Sequence, residues 1–201
     1  MSPDGLLLIG ALTAGSVAAL AAWSRHLPKK PQLVLAGLAG AALMVAVLDV
    51  HFFGPERGDI REWVALAATV LAVVGGGPAV VAVFTLVDRT APASARLPES
   101  GEAPGGKAAP AATGEGLRGG AWIGALERLA IVGTLVAGWP EGMAVVLAIK
   151  ALGRYPELRS GSHEGAAEGF IIGTLVSILW AVACAFVIAG GMGAGGRMVR
   201  P

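Results

Sequence analysis

Apolar residues along this chain are gathered into blocks, and that blocking constrains the fold more than any other property, because about 20 apolar residues in a helix cross the hydrocarbon core of a bilayer. The blocks fall at residues 5–23, 33–50, 62–87, 120–138, 141–153 and 166–190. With 55% hydrophobic and 14% charged residues, the 201-residue chain carries more apolar surface than one globular core of that length buries. Lipid is the solvent such blocks suit. The expectation is therefore an all-α, polytopic membrane protein with about six transmembrane helices. The fifth block is the shortest. Two features favour a full crossing there: Gly138-Trp139-Pro140-Glu141 reads as a tight turn with an interfacial Trp, and Lys150 and Arg154 can run along their own helix to the head groups.

Charge placement predicts orientation. The first block has only Asp4 ahead of it, while Arg25, Lys29 and Lys30 follow, an order that fits a retained helix with its N-terminus outside rather than a cleaved signal peptide. Six crossings then place ten of the 15 basic residues on the cytoplasmic side and four on the outer side, with Arg128 inside the membrane. Both termini are expected outside.

Between residues 88 and 118 the composition turns to Pro, Gly, Ala, Ser and Glu with almost no large apolar side chain. Such a stretch cannot bury enough surface to offset the entropy of ordering it, so a flexible cytoplasmic linker is expected. It divides the chain into a three-helix block at 1–87 and a second at 119–190, followed by a tail at 191–201. Within the first block, Gly75-Gly76-Gly77-Pro78 interrupts the third helix. No Lys-Ser/Thr follows it, so it reads as a kink that permits close packing rather than a phosphate loop.

The second block holds the candidate site. Glu127 and Arg128 stand side by side in the middle of an apolar run, where an ionisable residue costs roughly 2.5–3.5 kcal/mol on insertion scales and normally faces a partner or a water-filled cavity. Lys150 and Arg154 share a face of the fifth helix, Glu168 starts the sixth, and Thr174 and Ser177 follow it at helical spacing. At 1.5 Å per residue all of these fall in the cytoplasmic half of the bundle. Pairs Glu127–Lys150 and Arg128–Glu168 are expected, either as structural ion pairs or as part of a proton, ion or head-group site.

Other chemistry finds little support. There is no Gly-x-Ser-x-Gly, no His-Glu-x-x-His and no paired intramembrane aspartate, and neither a cofactor motif nor a metal-ligand spacing around His26, His51 or His163. The lone Cys184 cannot form an internal disulfide. A net charge of +1 without a basic, aromatic-interleaved patch argues against nucleic acid. The partners expected are the bilayer itself and a second copy or another membrane protein, since small-residue helices suit close packing between chains.

The run Gly120, Trp122, Gly124, Glu127, Arg128, then Glu141-Gly142, then Ile149 to Tyr155, then Glu168, Gly169, Phe170, Gly173, Thr174 and Ser177 resembles the C-terminal membrane region of a bacterial family catalogued only as a domain of unknown function. The resemblance covers residues 119–187 and implies a multi-pass protein of the bacterial inner membrane. It implies no activity. The N-terminal half departs from the family pattern, which usually carries a His- and Asp-containing first helix. Two function classes stay open: a small transport or conductance protein using the charged cluster, and a membrane-embedded interaction or assembly module in which that cluster is structural.

Overall fold

The computed structural model describes residues 3–23, 28–53, 60–90, 119–159 and 166–191. They form six helices: α1 (Pro3–Ala22), α2 (Lys29–Phe53), α3 (Arg61–Thr90), α4 (Gly119–Val136), α5 (Glu141–Arg159) and α6 (Ala166–Gly191). Four of them, α1, α2, α3 and α6, contain stretches long and apolar enough to cross a membrane: Gly5–Ala22, Lys30–Phe52, Arg61–Val87 and Glu168–Gly190. Helices α4 and α5 are outside that group. The first has 18 residues with Glu127 and Arg128 at its middle, and the second carries Lys150, Arg154, Glu157 and Arg159 toward its end. The expected linker, apart from residues 88–90 that finish α3, lies outside the described residues, as do His26, His163 and the tail beyond residue 191.

Contacts between helices fix their directions. Gly15 of α1 meets Ala42 of α2, Gly173 of α6 meets Val80 and Phe84 of α3, and Gly190 at the end of α6 meets Val50 near the end of α2. Helices α2 and α6 therefore run one way and α3 the other, with α1 alongside α3, since Gly15 lies by Leu71 and Trp23 by Val74. One face of the bundle, here the lower, gathers the starts of α1 and α3; the upper face gathers the starts of α2 and α6.

The helices on either side of residues 91–118 share one core. Helix α3 packs as extensively on α6 as α1 does on α2, and α4 lies against both α3 and α6. A single buried cluster runs from Leu8 and Leu12 through Leu43, Val64 and Leu71 to Ile131, Trp180 and Ile188. Small residues at Ala67, Ala68 and Ala72 let α3 serve as the central member. Helix α5 packs chiefly on α4 and is peripheral.

The α4–α5 turn forms as its sequence suggests. Gly138 takes the left-handed backbone (φ 74°), Trp139 N–H donates to the Thr134 carbonyl at 2.9 Å, and Gly138 N–H donates to Leu135 at 3.1 Å. This is the Schellman arrangement, which satisfies carbonyls a helix end leaves open. It aims α5 back along α4 and so sets Lys150 opposite Glu127.

Candidate functional site

Pro78 sits inside α3 and lacks the N–H that would bond the carbonyl of Val74, four residues earlier. That carbonyl instead accepts from the indole Nε1 of Trp23, at the end of α1, at 2.9 Å. The neighbouring carbonyls are used too. Val73 accepts from Arg128 of α4, through Nη2 at 2.6 Å and Nε at 3.2 Å. Leu71 accepts from the Trp180 indole of α6 at 3.1 Å. Three helices thus each send one large donor onto the same short stretch of α3.

The glycines explain how those side chains fit. A Cβ at 75 would overlap the Trp180 ring, one at 76 would overlap the Arg128 side chain, and one at 77 would stand 2.6 Å from the Trp23 ring. The close packing expected of Gly75–Gly77 is therefore an approach of side chains to α3, one glycine per visitor, and α3 stays helical through Pro78.

Arg128 is 3% exposed. Its Nη1 reaches the Ser177 hydroxyl of α6 at 3.4 Å, which ties α4 to α6 as well as to α3. Charge-assisted hydrogen bonds of this kind are what allow an intramembrane guanidinium to be tolerated. The expected pair Arg128–Glu168 does not form. Glu168 is exposed in the first turn of α6, nine residues from Ser177, roughly 13 Å along the helix at 1.5 Å per residue. Arg128 docks a level deeper, where Val73 offers a carbonyl.

Glu127, the next residue, points a different way because successive helical residues are about 100° apart. Its carboxylate forms an ion pair with Lys150 of α5, as expected from charge and depth. The pair is partly exposed, 14% for Glu127 and 21% for Lys150, and Lys150 also lies 6.0 Å from the centroid of the Phe170 ring. What the sequence suggests as one cluster is therefore two units on neighbouring faces of α4, an inner one around Arg128 and an outer one at Glu127–Lys150. Thr174 is half-buried on α6, one turn above Ser177, and takes no part in the Arg128 contacts. Arg154 lies on α5, but its side chain is outside the described residues.

Sequence reasoning missed Trp23, Trp180 and the α3 carbonyls. A proline in an apolar helix frees one carbonyl at a known position, and that signal was available. Which side chains would come to it depends on tertiary packing alone. Among the described residues no group of His, Cys, Asp and Glu is arranged to hold a metal, and every buried side-chain nitrogen or oxygen has a partner. Comparison with protein families, with curated proteins and with solved structures finds no match.

Proposed function

We propose that this chain is a six-helix integral membrane protein acting as a membrane-embedded assembly module, with its charged residues holding helices together rather than moving a solute. The observation that carries this reading is the saturation of Arg128: each guanidinium nitrogen bonds a carbonyl or hydroxyl of the protein, leaving no buried carboxylate or imidazole to relay protons at that centre. Membrane depth is supported by the aromatic residues. Trp122 and Trp139 stand exposed at the two ends of α4, and Trp63 and Tyr155 at the start of α3 and toward the end of α5, the distribution of interfacial belts. On α4 and its turn, Trp122 and Trp139 are 17 residues apart, about 25 Å at helical rise, close to the thickness of a hydrocarbon core. Crossing by α4 and α5 as well as the four longer helices is part of this proposal.

Placement in a bacterial inner membrane, with the lower face outside, rests on the resemblance and on the basic residues. The surface offered to a partner is α5, which leaves Val145, Ile149, Leu152 and Tyr155 exposed and packs chiefly on α4. Reconstitution separates the two function classes. Proteoliposomes should show no protein-dependent proton, sodium or potassium flux, while crosslinking through cysteines placed at Val145 or Leu152 in native membranes should capture a second chain. Flux abolished by Glu127→Gln would overturn the assembly reading in favour of transport.

A further inference from the structure

Packing divides the bundle at the level of Arg128. Below that level α3, α4 and α6 are joined by buried residues, among them Leu71 and Ala72 on α3, Ile131 and Val132 on α4, and Trp180 and Ala181 on α6. Above it the same helices continue, yet no residue is buried from Ala79 to Val87 on α3, from Gly120 to Glu127 on α4 or from Glu168 to Val176 on α6. On α3 the division falls at one turn. Gly75, Gly76, Gly77 and Pro78 are consecutive, and Pro78 is the last of that helix's described residues to be buried.

This turn is built to bend. Pro78 has no N–H for the Val74 carbonyl, and three glycines in succession leave the backbone without the restraint of a Cβ. Sharp bends in helices arise at such positions. Arg128 and Trp180, both buried, hold only the near side of the turn, bonding Val73 and Leu71 upstream of Pro78. Trp23 is different. Its indole spans the turn, with Nε1 on the Val74 carbonyl at 2.9 Å and the ring edge against Gly77, and it is 44% exposed at the end of α1. Beyond the turn, α3 meets α6 through Val80 and Phe84, each 3.6 Å from where a Cβ at Gly173 would lie. A glycine offers no ridge to interlock with, so this seam parts without repacking either helix.

We propose that Gly75–Pro78 is a hinge and Trp23 its latch, so that the arm Ala79–Thr90 swings away from α6 at the upper face while the core below Pro78 stays closed. In the closed arrangement the indole clasps the turn at both ends. In the open one the Trp23–Val74 bond is broken and the glycine face of α6 at 169 and 173 is uncovered. The arm is the part of α3 that continues into residues 91–118, so a partner acting on that segment pulls at the long end of the lever. The hinge is a property of the fold and does not rest on the assembly reading.

Double electron–electron resonance on the full chain in detergent reads the two halves of the α3–α6 seam separately. Spin labels on Leu86→Cys with Ile171→Cys report the arm, and labels on Val70→Cys with Phe186→Cys report the core; all four positions are exposed, whereas the native Cys184 is buried. The core pair should give one narrow distance, and the arm pair the closed distance together with a longer one. Trp23→Phe should raise the longer fraction about threefold, and Pro78→Ala, which returns an N–H to Val74, should lower it by about as much. A longer distance seen only in Trp23→Phe supports the same hinge with its latch almost always shut. One narrow arm distance in both the parent and Trp23→Phe overturns the proposal, as does a longer fraction that Trp23→Phe leaves unmoved. A longer fraction that survives Pro78→Ala undiminished also overturns it, because the motion then does not arise at this turn. So does broadening of the core pair in any of the three proteins, which would mean that the seam yields as a whole.

Discussion

Each of the three donors that meet on α3 has a different energetic meaning. Trp23 alone answers a carbonyl that the helix cannot satisfy, because Pro78 has no N–H; the carbonyls of Leu71 and Val73 can also accept from within α3. Trp23→Phe keeps the ring and removes the donor, so it should cost about 0.5–1.5 kcal/mol, the net worth of an ordinary hydrogen bond, because Trp23 is partly exposed. Pro78→Ala returns an N–H to Val74, and in that background the same Trp23 substitution should cost less than 0.5 kcal/mol, roughly the limit of additivity in a double-mutant cycle. Equal costs in both backgrounds, measured by denaturation in detergent, would mean that Trp23 acts by packing alone. Glu127 has a comparable test. Glu127→Gln strands a half-buried Lys150 and should destabilise by about 1–3 kcal/mol, reduced from the fully buried case because the pair is partly exposed. Exchanging the two charges, Glu127→Lys with Lys150→Glu, should restore about half. If the exchange restores nothing, the pair is not what holds α5.

At the scale of elements, legibility in the sequence depended on whether the signal was local. The helices were readable because apolar run length is a property of a segment, and the α4–α5 turn because Gly138 and Pro140 carry their backbone preferences with them. Glu127–Lys150 was readable for a related reason: the short turn fixes the register of two adjacent helices, so depth alone brings the charges together. Arg128 was read as paired with Glu168 because a carboxylate is the obvious partner for a buried cation. Its real partner is a backbone carbonyl 55 residues earlier, and any residue has one. A change in composition likewise marks a break in the chain and says nothing of which helices pack together. Gly138→Ala tests the local part. No atom crowds that position, so the cost is that of a left-handed backbone with a Cβ, about 1–2 kcal/mol, without loss of the α4–α5 pairing.

The whole molecule is held at α3, which touches α1, α2, α4 and α6. The proposed orientation rests on the basic residues rather than on packing, and it can be checked independently. Cysteines introduced at positions 101–112 should resist a membrane-impermeant maleimide in intact cells and react after the membrane is opened; rapid labelling in intact cells would invert the topology. Cys184 is fully buried and should stay silent in both.

Synthesis proceeds from the N-terminus, and that gives the shared face of α3 a schedule. When the ribosome has made α1 to α3, Trp23 is already available to Val74, but the side chains that belong over Gly75 and Gly76 do not yet exist. On the membrane reading, the first half of the chain would wait in the bilayer with two side-chain-sized hollows until Arg128 and Trp180 arrive to close them. A chain stopped after Thr90 should be degraded rapidly by membrane proteases, and expressing residues 119–201 from a second message should lengthen its life. The glycines that seat the finished bundle also make its unfinished half recognisable as incomplete.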